Sequence, residues 1–306
     1  MSSSLQKGFY LALITAFISG ISIFLNKFAV EAVKNPLIFT TTKNVLVGIF
    51  ILSFILISGK WKLIKKLNKS QIIKLFLIGI IGGSLPFYLF FTGLSQIPAI
   101  NAAIIQKTLV FWVIILALPL LKEKLSKLQL LAIILLFSGN LFIGGFTGFK
   151  FSSGELLILL ATILWAVENV IAKKVLSIVD SDLVTSARMG FGSLILIFIM
   201  LFSNPSGFGQ IILFNQTQWL WIILSAILLL GYVSIWYRAL KLAPAIIVTS
   251  VLVTSTLITN LLSAIFITKV WSMEMGLQAL LIILGGTLIY FSIKKHPLLT
   301  PKAVLE

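Results

Sequence analysis

A lysine and a glutamate stand where their neighbours leave no water for them. Lys107 lies near the middle of INAAIIQKTLVFW (Ile100–Trp112), and Glu168 lies within LWAVENVIAKK (Leu164–Lys174). A charge at the centre of an apolar span costs at least about 2.5–3.5 kcal/mol to insert, and such residues face a cavity or each other rather than lipid. Facing a cavity, Lys107 suits a carboxylate or phosphate and Glu168 suits an ammonium, so the two together suit a zwitterion. Glu168 is then also the candidate for carrying a coupled proton. Facing each other, the two would form a buried ion pair. Lys107 is eight residues past Ala99 and Glu168 fourteen past Gly154. At about 1.5 Å per residue their depths differ by roughly 9 Å, which a lysine stem spans only with helix tilt. Both arrangements stay open on the sequence.

Polar stripes surround these charges. Thr15, Ser19, Ser22 and Asn26 are spaced by four, three and four, so they share one helix face. Thr249, Thr256 and Asn260 share another with Val253, and Tyr88 forms a third with Ser84, Thr92 and Ser95. A shift of 146 residues carries the first stripe onto Ala161, Trp165, Glu168 and Ala172, and the second back onto Ala103, Lys107, Val110 and Ile114. The polar faces of the two halves therefore correspond. The candidate solute-binding residues are Lys107, Glu168, Trp165, Ser19, Ser22, Asn26, Tyr88, Thr256 and Asn260. Taken singly, each hydroxyl in these stripes is explained better by close helix packing in lipid than by a solute contact.

The elements that must hold these residues are membrane helices. Of 306 residues 59% are hydrophobic and 10% charged, with a mean hydropathy of +1.14; a soluble domain carries about a quarter charged residues. A spanning helix needs about 20 apolar residues, and ten stretches qualify: roughly 8–28, 37–58, 72–95, 99–121, 128–147, 154–176, 183–203, 216–240, 244–268 and 274–294. The first is followed by no small-residue cleavage site and is expected to be a retained helix. The net charge of +16 does not mark a nucleic-acid binder, because the basic residues lie between the apolar stretches. With the N-terminus inside, only Lys27, Lys34, Lys150 and Lys269 fall outside and Lys43, Lys107 and Arg188 within helices; the other 17 of the 24 lysines and arginines are inside. Both termini are accordingly expected in the cytoplasm, with the chain multi-pass in the cell membrane. Lys43 and Arg188, within about two turns of their helix starts, are expected to snorkel to the surface.

The 146-residue register extends beyond the stripes. Gly8 falls on Gly154, Lys27 on Lys173, LSQIPA (Leu94–Ala99) on LKLAPA (Leu240–Ala245), Ser126 on Ser272 and Gly139 on Gly285. Five helices is an odd number, so the second half must enter the membrane upside down, as in many secondary transporters. The expected architecture is an all-α membrane protein of two inverted five-helix repeats around a central cavity. The first repeat spans 1–147 and the second 148–296, with a cytoplasmic tail at 297–306.

This pattern resembles the drug/metabolite transporter superfamily, of the EamA type. The resemblance rests on the first helix ending in Lys27, its echo at Leu164–Lys174, the Pro-Ala junctions at Pro98 and Pro244, and LPLLKEKLSKLQLLAIILLFSGNLFI (Leu118–Ile143) with Glu123 where the family ends its fourth helix. Two departures stand out. Lys269 replaces the glutamate that the second half often repeats, and Leu109 and Ser255 stand where helices 4 and 9 often carry a proline. The resemblance implies a small-molecule exporter with a cavity lined by helices 1, 3, 4, 6, 8 and 9. Amino acids or similar polar metabolites lead as the solute, ahead of nucleobases, vitamins and drug-like cations; a non-transporting structural membrane protein is the other reading.

Other chemistries lack their parts. There is no cysteine, the single histidine, His296, follows the last apolar stretch, and no helix brings two acidic residues together, so a thiolate metal site is excluded and a membrane-embedded enzyme lacks its usual nucleophile–base pair or metal ligands. No GxxxxGK[ST] motif occurs, so active transport must draw on a proton gradient or on solute exchange. No cofactor and no metal are expected. The partners are the solute and the lipid bilayer, not nucleic acid, and the oligomeric state is open.

Overall fold

A computed structural model describes residues 3–142 and 148–295, all helices and their connections. The long elements are α1 (Ser3–Val33), α2 (Pro36–Ile57), α3 (Lys69–Leu94), α4 (Ala99–Leu120, in two pieces), α5 (Lys127–Leu141), α6 (Ser153–Leu176), α7 (Ser181–Ser203), α8 (Gln216–Leu242), α9 (Ala245–Thr268, in pieces) and α10 (Met273–Lys295). Nine of them are long and apolar enough to cross a membrane among the described residues. The exception is α5, with 15 residues, or about 22 Å. The end expected for it, 143–147, lies outside the described residues, as do His296 and the tail 297–306.

Helix starts are closed by side chains, because orphan N–H groups have few partners at an apolar boundary. Asn35 accepts from the N–H groups of Leu37 and Ile38 at the start of α2, just ahead of Pro36. Capping boxes open α3 (Asn68 with Gln71), α5 (Ser126 with Gln129), α6 (Ser152 with Glu155) and α8 (Asn215 with Gln218).

Packing follows the repeat. α1 lies against α8 and both pieces of α9, while α6 lies against α3 and both pieces of α4. α2 pairs with its counterpart α7, and α5 with its counterpart α10. Large apolar side chains such as Phe50, Phe54, Phe198, Phe202 and Phe291 stay on the outer surface, as lipid-facing positions require.

Three helices are irregular near the centre. α3 passes through a π-helical segment at Gly79–Ser84. α4 breaks at Thr108, whose N–H and hydroxyl both donate to the Ile105 carbonyl, at 3.1 and 2.6 Å. α9 breaks at Thr254, whose N–H and hydroxyl both donate to the Val251 carbonyl, at 3.0 and 2.7 Å. The two threonines are 146 residues apart, each one residue before a position where the family resemblance places a proline. A bifurcated bond to the i−3 carbonyl tightens the turn and interrupts the i−4 ladder. The break is therefore present without proline.

Candidate functional site

The central cavity, of about 110 Å³, lies where these irregular segments meet α1, α6 and α8. Ser19, Ser22 and Asn26 of α1 line it, with Lys107 of α4 and Trp165 and Glu168 of α6. Asn26 Nδ2 donates to Ser22 Oγ at 3.1 Å. Three further sequence candidates lie elsewhere. Tyr88 packs half-buried against the core. Thr256 and Asn260 line an adjoining cavity of about 440 Å³, and Asn260 donates to Gln278 Oε1 at 2.7 Å. The two cavities share Ile23, Lys27 and Ala103 in their walls, so they join around the far half of α1.

Glu168 is completely buried and its partners are Arg188 and Tyr237. Arg188 Nη1 lies 3.5 Å from Glu168 Oε2 and donates to the Tyr237 hydroxyl at 3.2 Å, while that hydroxyl donates to Glu168 Oε1. The Lys107–Glu168 ion pair is not formed. The expectation that Arg188 snorkels also fails: it is 4% exposed, its guanidinium 5.7 Å from the ring centres of Phe87 and Tyr237. The reason is a carboxylate on the neighbouring helix, which stabilises a buried guanidinium better than a long reach to water.

The space for Glu168 comes from α3. A Cβ at Gly82 would sit 2.5 Å from Glu168 Cγ, and one at Gly83 would sit 1.9 Å from the Arg188 carbonyl oxygen. Only glycine lets α3 approach both charged helices this closely. The π-helical turn also frees carbonyls for side chains. Trp165 Nε1 donates to Gly82 O at 3.2 Å, and Asn44 Nδ2 to Gly83 O at 3.1 Å. Trp165 is thereby fixed edge-on to Phe87, with ring centres 5.4 Å apart.

Lys43 is the second correction. It is 2% exposed rather than snorkelled, and its ammonium lies 4.2, 4.6 and 5.5 Å from the ring centres of Phe91, Phe39 and Phe87. Three aromatic rings attract the cation, two of them, Phe87 and Phe91, lining the same cavity as Lys43. The signal was present in the sequence: TTTKN (Thr40–Asn44) is a polar run inside an apolar span. Lys107 is also 2% exposed, and the bond it donates to Gln106 Oε1 is long, at 3.4 Å.

At the end of the molecule where α6 and α8 finish, side chains tie the helix ends together. Lys173 Nζ donates to the carbonyls of Leu240 and Ala243, at 2.6 and 2.8 Å. Glu123 accepts from the N–H groups of Ala245 and Ile246, at 2.7 and 3.0 Å, capping α9. Burial pushes the Glu123 carboxyl up from its ordinary value, against the pull of those two N–H groups and of Lys173. Nearby, Lys60 bridges Asp180 and Asp182, and Arg238 bonds Asp182 at 2.9 Å.

Comparison with known proteins places this arrangement. The sequence pattern of the EamA-like transporter family matches residues 6–145 and again 152–291, two stretches that begin 146 residues apart. An uncharacterized transporter of Methanothermobacter thermautotrophicus is 25% identical over 210 residues, 63% of this chain; the chain spans 61% of that relative's length. One crystal structure superposes with a TM-score of 0.73 at 14% identity, over 93% of this chain and 98% of the other. At that identity the likeness speaks for the fold alone.

Proposed function

The chain belongs to the EamA-like transporter family, and from that premise we propose that it is a secondary transporter moving small polar metabolites across the cell membrane. It works by alternating access between two inverted repeats, without ATP hydrolysis, and exports its solute. Both termini face the cytoplasm, so the end fastened by Glu123 and Lys173 is the inner one. Amino acids are the first class to test. The observation that supports the reading most is a buried, charge-lined cavity bordered by helices broken at Thr108 and Thr254. Broken helices near mid-depth free backbone groups for a solute and give each repeat a joint. In this reading Lys107, Trp165, Ser19, Ser22 and Asn26 contact the solute in the central cavity, and Thr256 and Asn260 contact it on its way out. Glu168 is the candidate for proton coupling, and taking up a proton there means breaking its bond to Arg188.

The test is counterflow of labelled amino acids and other metabolites through purified protein in liposomes. Saturable uptake driven by unlabelled solute inside is expected. Absence of flux for every solute, with the protein folded and inserted, favours a structural membrane protein. Transport unchanged across pH in Glu168→Gln removes the proton role.

A further inference from the structure

The cavity holds more positive charge than it neutralises. Lys27, Lys43, Lys107 and Arg188 line it, against one carboxylate, Glu168. That carboxylate is already engaged by Arg188 and by the Tyr237 hydroxyl, so the pair presents almost no net charge. Lys43 and Lys107 are each 2% exposed, and among the described residues neither has a carboxylate within ion-pair distance. Buried charges are ordinarily paired, and two ammonium groups on one small cavity repel each other. Lys43 is held by aromatic rings and Lys107 by one long bond to an amide. Neither partner carries the missing negative charge.

We propose that the missing charge is the solute's own: the site takes an organic anion whose carboxylate or phosphate sits between Lys43 and Lys107. No second carboxylate is left to receive an ammonium, so among the small polar metabolites proposed above the site favours organic anions over amino acids, whose ammonium would find no counterpart. The rest of the wall defines the body of the solute. Phe87, Phe90, Phe91 and Trp165 stand on one side and the stacked pair Tyr232 and Trp236 on another, their ring centres 5.8 Å apart. Flat or apolar bodies fit such walls. The inference rests on the transport reading for its physiological sense, but binding alone can test it.

Three probes of one shape decide it: 3-phenylpropionate, phenylalanine and phenethylamine, which are an anion, a zwitterion and a cation. Each is assayed for thermal stabilisation of the detergent-purified protein and for counterflow in liposomes. The anion is expected to bind at least tenfold more tightly than either analogue. Lys107→Met and Lys43→Met should each weaken it tenfold or more, while Lys107→Arg keeps most of the affinity. Retention of the Arg variant separates loss of charge from misfolding. Phenylalanine or phenethylamine binding as well as the anion overturns the proposal, as does no anion binding at all, or equal binding by both Met variants. Anion binding without flux of any probe leaves the anion site standing and counts against transport.

Discussion

The two ends of the molecule carry the same scaffold and different chemistry. At one end Lys173, in the last turn of α6, donates to the Leu240 and Ala243 carbonyls, and Glu123 caps α9. The repeat puts Lys27 in the place of Lys173, with Leu94 and Ile97 in the places of Leu240 and Ala243, whose carbonyls accept from Lys173. Lys27 instead is exposed and lines both cavities. The repeat puts Lys269 in the place of Glu123, and it too is exposed. An ammonium cannot accept from the first N–H groups of a helix, and it repels the positive end of the helix dipole. The fastening at one end therefore cannot be copied at the other. The two repeats share a backbone pattern; the side chains decide which end is held by bonds.

The largest test of this contrast removes the fastening. Hydrogen bonds to charged groups contribute about 1.5–3 kcal/mol each, and these two side chains make four of them, so Lys173→Met combined with Glu123→Gln should shift the balance between the two closures by at least about a hundredfold. The chain has no cysteine, so a single cysteine at Thr249, in the wall of the central cavity, reports access cleanly. Its labelling from the Glu123 side should accelerate by that factor, and an unchanged rate would mean that packing alone closes this end. A smaller effect comes from supplying the missing partner. Lys269→Glu should slow labelling of a cysteine at Thr256 from the opposite side by up to about tenfold, through a new cap and a relieved dipole clash. Faster labelling would show that Lys269 already restrains that end.

The smallest effect is at Lys60. Its bonds to Asp182 and Asp180 hold its ammonium above the ordinary lysine value of 10.5. Their contribution is thus fully present below pH 10.5 and is lost as pH rises through the raised value. Lys60 is partly exposed, so Lys60→Met should lower stability by under about 1 kcal/mol at neutral pH. A melting-temperature difference from wild type that persists undiminished well into the alkaline range would assign the effect to packing of the stem instead.

Much of this was legible in the sequence, and the gaps have physical causes. Composition, the 146-residue register and the polar stripes marked the helices and six residues of the central cavity, because lipid forces apolar periodicity and leaves polar groups conspicuous. Distance from a helix start was a poor guide for Lys43 and Arg188. Whether a long cation reaches outward or inward depends on what the next helix offers it, here three phenylalanine rings and a glutamate, and no single stretch of sequence contains that. Tyr88 illustrates the converse. Its stripe is correctly periodic, but the face that α3 turns to the cavity is the neighbouring one, with Phe87, Phe90, Phe91 and Leu94.

The joints at Thr108 and Thr254 differ in kind from those a proline makes. A proline ring bends a helix permanently, because no N–H exists to remake the missing bond. A threonine bends it through one hydroxyl bond, worth about 1 kcal/mol, which a side-chain rotation releases, and through one tightened turn whose N–H is still present to remake the i−4 bond. These two helices can straighten and kink again within the lifetime of one molecule. Their stiffness is a variable of state rather than a fixed property of the chain.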